Sequence, residues 1–199
     1  MPHAAPLAPP APAEPVPILR GDLAIWLLVC AELLTFGIFF IAFAVARWRL
    51  PAEFAAGQAA LSLGRGTLNT VLLLSGSAAV AQALHAARAG RPRQGGRWLL
   101  LALACALAFL GVKQHELAAK IAAGVDLDTN TFWMFYLVLT GFHFLHVLVA
   151  TVVLALLWRP TVRGRYSQGN AHALETGAVF WHMVDLLWIV LFPLVYVLR

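Results

Sequence analysis

Within long apolar stretches the chain carries a small set of side chains able to bind protons or metals: Glu32, His143, His146, His182 and Asp185. His143 and His146 are three positions apart, as are His182 and Asp185, so each pair shares a face if its stretch is helical. His-x-x-His with a third histidine and a carboxylate is a set that completes zinc or iron coordination. Histidines on separate helices can also ligate a b-type haem. A self-contained haem or metal redox protein built on His143, His146 and His182 is therefore one reading. The plainer reading, which we favour on the residues alone, is a hydrogen-bonded intramembrane polar network between helices, with no metal. Glu32 fits either a carboxylate linked to proton movement or a contact with lipid or a neighbouring helix. Lys113 and Glu116, again three apart, read as an ion pair at the membrane interface. No Ser/His/Asp constellation or phosphate-binding glycine loop is present, and no catalytic residue is assigned.

The elements that must position these groups follow from composition. The 199 residues are 61% hydrophobic and only 12% charged, and the mean hydropathy is +0.80. That is more apolar surface than a soluble domain of this size can bury. The apolar runs are long enough to cross a bilayer as helices and do not alternate as barrel strands do. The expected fold is all-α, a polytopic bundle of transmembrane helices at about 23–46, 67–87, 97–119, 132–158 and 175–198. Residues 1–20 form a Pro/Ala-rich tail expected to be disordered.

Small residues at Ser75, Ala79, Ala83 and Ala87, and at Ala102, Ala104, Ala106 and Ala108, suggest close helix contacts. Cys30 and Cys105 belong to no metal or redox spacing and read as small buried side chains. The net charge of +5 lies in short loops beside apolar helices, which fits anionic headgroups and not nucleic acid. Arg20, Arg88, Arg91, Arg93, Arg97, Arg159, Arg163 and Arg165 fall on the amino-terminal side of the membrane. Arg47, Arg49, Arg65, Lys120 and Arg199 fall on the other. The larger basic share predicts a cytoplasmic amino terminus and an external carboxyl terminus.

At a rise of about 1.5 Å per residue, Glu32 and Asp185 lie roughly 15 Å along the first and last helices, and His146 roughly 18 Å from the cytoplasmic end of the fourth. The five polar groups thus share one slab near the midplane. Facing lipid there would cost several kcal/mol each, by order of magnitude, so they should face protein or a lined crevice. A proton-coupled transporter is disfavoured, since no internal repeat or broken helix is evident.

Four segments carry a family resemblance: WLLVCAELLTFGIFF in the first helix, LNTVLLLSGS in the second, FYLVLTGFHFLHVLVA in the fourth and VFWHMVDLLWIVLFPLVY in the fifth. Together they resemble subunit III of the haem–copper oxidases, over nearly the whole chain after the tail. The number of helices and the segment MVDLLWIVLFPLVY lean toward the short branch that includes the NorE-like accessory protein of nitric oxide reductase. The resemblance implies an accessory, non-catalytic subunit without haem or copper, in a bacterial inner membrane. Its partner would be the catalytic subunit I of a cytochrome c or quinol oxidase or a nitric oxide reductase, which would hold the haem with copper or non-haem iron. Structural phospholipid would lie in a cleft, with support for proton uptake. Glu32 matches the family's carbodiimide-reactive intramembrane carboxylate. His143 and His146 match its paired histidines, and His182 and Asp185 its terminal-helix motif. Glu116 matches an acidic residue that an aromatic usually follows, where this chain has Leu117.

Overall fold

The structure, a computed structural model, describes residues 23–166 and 170–198; the amino-terminal tail, Arg20 and Arg199 lie outside the described residues. Among the described residues the fold is all-helical: α1 (Leu23–Arg49), α2 (Pro51–Ala59), α3 (Leu63–Arg88), α4 (Pro92–Ala122), α5 (Thr131–Val162) and α6 (His172–Phe192). A π-helical turn, Pro193–Val197, extends α6. Five of these helices, α1, α3, α4, α5 and α6 with its extension, are long and apolar enough to cross a membrane.

Local chemistry sets where the helices begin and end. Asn130 caps α5 by accepting from the backbone N–H of Trp133 at 2.9 Å, and Glu53 of α2 accepts from that of Phe132 at 2.9 Å. Two orphan donors of the first turn are satisfied in this way. At the other ends, Gly90 and Gly124 take φ values of 70° and 81°. These allow Arg91 N–H to reach Ala86 C=O and Val125 N–H to reach Lys120 C=O, the bonds of a Schellman stop.

Each membrane helix runs past the limits expected from the sequence at one end or both. The largest difference is at α4, which begins at Pro92 and not near Arg97. Gly95 and Gly96 sit in its first turns because α3 and α5 pack where their side chains would be, a Cβ at Gly95 meeting the Ala83 carbonyl and Thr161 and one at Gly96 meeting Val162. The short helix α2 is an element the sequence did not predict. Its Phe54 is edge-on to Phe43 of α1 and Phe132 of α5, at 5.0 and 5.5 Å, which ties the end of α1 to the start of α5.

The bundle has a tight body and a looser outer helix. α3 pairs with α4, α4 with α5, and α6 lies against α3 and α5, while α1 packs on α5 and α6. In its most apolar window only 17% of α1 is buried, against 39–50% for the other spans. The small-residue faces are real but rotated from the expected stripes. Ala79, Ala83, Ala87, Ala102 and Ala106 are buried, whereas Ser75, Ala104 and Ala108 are exposed. A strict four-residue repeat drifts about 40° per step around a helix of 3.6 residues per turn, so Ser75 leaves the contact face, while Ala104 and Ala108, two positions from Ala102 and Ala106, lie about 200° round the helix from them. Likewise Cys30 is exposed rather than buried, and Cys105 is intermediate.

Candidate functional site

The five polar groups expected in one slab do not form a single network. Depth along a helix locates a side chain axially and leaves its rotation open, and rotation divides the set into three.

The first group joins α1 to α5. His146 Nε2 lies 3.2 Å from Glu32 Oε2, with side-chain exposures of 18% and 25%. The other ring nitrogen, Nδ1, is 2.7 Å from the carbonyl oxygen of Phe142. That carbonyl can only accept, so Nδ1 carries its hydrogen. The Glu32 contact is then a hydrogen bond when one further proton sits on Nε2 or on the carboxyl. Phe36 packs edge-on to the imidazole at 5.5 Å, holding the ring in place. The pair opens onto a groove of about 270 Å³ walled by Leu28, Leu145, Val149 and Phe180. Leu28, Val149 and Phe180 also wall a second groove of about 490 Å³, which runs between α1, α5 and α6 to Thr176 and His172. Sharing these walls, the two adjoin as an apolar channel whose polar lining is Glu32 and His146 at one end and Thr176 and His172 at the other.

The second group joins α6 to α3. Ser77 Oγ and His182 Nδ1 are 2.6 Å apart on an exposed part of the surface. Asp185, 6% exposed, has Ser77 and His182 as its polar neighbours, and its Oδ1 has no hydrogen-bond partner among the described residues.

The third is His143 alone. It is fully buried, with its ring 5.8 Å from Phe109 and 5.1 Å from Trp188, and neither ring nitrogen has a partner among the described residues. His143, His146 and His182 therefore face the α4–α6 interior, α1 and α3 respectively. They do not converge, and among the described residues no group of three or more His, Cys, Asp or Glu is placed to hold a metal ion. Among the described residues the metal reading of these histidines therefore has no ligand set.

Lys113 and Glu116 require a second correction. They do pair, at 3.1 Å, but with exposures of 1% and 2% they lie inside the bundle and not at a solvated interface. Lys113 Nζ also donates to the hydroxyls of Tyr196 at 2.7 Å and Tyr136 at 3.3 Å. Tyr196 OH lies 3.2 Å from both carboxylate oxygens of Glu116. The ammonium is 4.9 Å from the Tyr136 ring centre and 5.6 Å from that of Trp188. An ion pair this deep holds only if its remaining hydrogen-bonding capacity is filled, and the two tyrosines fill it. Trp188 is itself fixed by donating to Thr70 Oγ1 at 2.9 Å. Sequence reasoning missed Tyr136, Tyr196 and Ser77. The phenols within apolar runs were the available signal, because a buried hydroxyl needs a partner.

The sequence model of cytochrome c oxidase subunit III matches residues 19–199. Cytochrome c oxidase subunit 3 of Synechocystis is 33% identical over 183 residues, covering 92% of this chain and 77% of that protein. The subunit 3 of Thermostichus vulcanus is 32% identical over 133 residues, covering 66% of this chain and 65% of its own length. The heme-copper oxidase subunit I+III of Aeropyrum pernix is 30% identical over 191 residues, which is 92% of this chain but 23% of that protein. With a match running from before α1 to the end of α6, the chain belongs to the cytochrome c oxidase subunit III family.

Proposed function

We propose that this chain is an accessory, non-catalytic subunit of a haem–copper respiratory complex, a terminal oxidase, which packs against the catalytic subunit I and holds structural phospholipid in the channel at Glu32. The observation that carries the reading is the similarity to the Aeropyrum pernix protein, whose name joins subunits I and III and of which this chain matches about a quarter. Haem and metal would reside in the partner, and the chain itself would bind none. The channel between α1, α5 and α6 has an apolar lining suited to acyl chains. Glu32 and His146 form a proton-binding pair in its lining, which supports a proton-linked role for Glu32. The nitric oxide reductase reading rests on the segment MVDLLWIVLFPLVY and on the five spans. The relatives named above, two cytochrome c oxidase subunits 3 and a heme-copper oxidase subunit I+III, favour oxygen as the oxidant. The expected site is the bacterial inner membrane, with the amino terminus inside and the carboxyl terminus outside.

The test is purification of the tagged chain from its own membranes, with mass spectrometry of the co-purifying subunits and an optical spectrum of the chain alone. Recovery of a haem-containing subunit I with a colourless isolated chain is expected. A stoichiometric haem band in the isolated chain would overturn the reading. Oxygen and nitric oxide consumption by the same preparation separates the two parent complexes.

A further inference from the structure

The outward faces of the bundle differ at mid-membrane. On α4 and α5 the exposed residues near the helix centres include Leu107 and Leu148, with Leu156 two turns further along α5, all suited to hydrocarbon. On the seam between α3 and α6 the exposed residues include His182, ten positions into α6 and therefore roughly 15 Å from its start, close to the centre of an apolar core about 30 Å thick. Its Nδ1 is taken by Ser77, while Nε2 has no hydrogen-bond partner among the described residues. Behind it, Asp185 Oδ1 is likewise unpartnered. An imidazole nitrogen turned toward acyl chains at this depth is strongly disfavoured, so the seam needs a covering group that can hydrogen-bond.

Resting on the accessory-subunit reading above, we infer that the α3–α6 seam is the face that docks on the catalytic subunit. Its occupant is a transmembrane helix presenting a hydrogen-bonding side chain to His182 Nε2. The antiparallel pairing of Thr70 with Trp188 and Ser77 with His182 puts Leu74 level with Leu186. These exposed leucines, with Ile189, supply apolar contact one to two turns beyond the polar point. The α1–α5 groove cannot serve the same purpose with equal force, because Glu32 and His146 already answer each other.

The experiment places a photo-activated crosslinking residue at Leu186, Leu107 or Leu156 in the full complex and identifies the product by mass spectrometry. Leu186 should crosslink to the haem-bearing subunit, and the other two positions to lipid. A lipid-only product at Leu186, a second copy of this chain there, or subunit I captured from Leu107 or Leu156 would overturn the assignment. In that event co-purification with subunit I would leave the accessory reading standing. Absence of any haem-bearing subunit from the preparation would overturn both. Independently, His182→Leu should lower the fraction of chain recovered with subunit I about threefold to tenfold, the size of an interhelical hydrogen bond in a membrane. His182→Gln should recover most of it, and His182→Leu assembling at the native level would count against the seam.

Discussion

Glu32 and Glu116 are both carboxylates on membrane-spanning helices, and their surroundings are opposite. Glu116 is 2% exposed and held by Lys113 and Tyr196. Among the described residues Glu32 has a single partner, His146, and faces an apolar groove. A carboxylate whose valences are filled by an ammonium and a phenol is suited to hold helices in place. One that shares a single hydrogen bond and meets a groove is suited to exchange a proton or meet a lipid. The bundle thus divides into a closed half, built from α4, α5 and the end of α6, and an open half, where α1 leans on α5 and α6.

The division is broken most severely by removing one member of the closed cluster. Lys113→Met should destabilise the chain by about 3–5 kcal/mol, since Glu116 would remain buried and unpaired. The expected outcome is loss of the subunit from membranes, or a lowered unfolding midpoint in detergent. The double change Lys113→Met with Glu116→Leu should recover much of that loss, because an apolar pair of similar volume can replace a buried ion pair. Asp185→Leu comes next. It removes the acidic neighbour of Ser77 and His182 and should weaken incorporation into the complex. Normal recovery of the subunit would contradict this. Tyr196→Phe removes the hydroxyl that accepts from Lys113 and reaches Glu116, for a similar or smaller loss of about 1–2 kcal/mol in the same unfolding assay.

Changes on the open side should be mild in stability and visible in function. Glu32→Gln should leave assembly of the complex at the parent level, since Gln keeps a side chain that can hydrogen-bond His146. It should alter the loss of activity during turnover. If that loss is unchanged, Glu32 is a packing residue. The smallest effect is expected at Arg88→Ala. Its 2.7 Å pair with Glu175 joins the end of α3 to the start of α6, but with side-chain exposures of 35% and 20%. A loss below about 1 kcal/mol, shrinking further in salt, is expected there.

The same contrast shows what was legible in the sequence. The membrane helices follow from apolar run length, and their polar groups could be assigned a depth from the rise per residue. Which way each group pointed was not legible. His143 and His146 are three residues apart, yet one is sealed between Phe109 and Trp188 while the other reaches α1, since three residues leave about 60° between side chains. Lys113 and Glu116 look like an interfacial pair until Tyr136 and Tyr196 arrive from distant segments, 23 and 83 residues from Lys113. The helix α2 was hidden for another reason. Its nine residues, PAEFAAGQA, are small and only weakly amphipathic, and it is held by tertiary contacts: Phe54 in the aromatic cluster, and Gln58 donating to the Val195 carbonyl at 3.2 Å.

The most direct test of a closed half and an open half is competitive labelling of the two carboxylates. The purified complex would be treated with a lipid-soluble carbodiimide and the modified glutamates identified by peptide mass spectrometry. Modification of Glu32 with Glu116 left intact is the expected result. Equal labelling of both, or labelling of Glu116 in preference to Glu32, would contradict the division of the bundle and with it the role given to the groove.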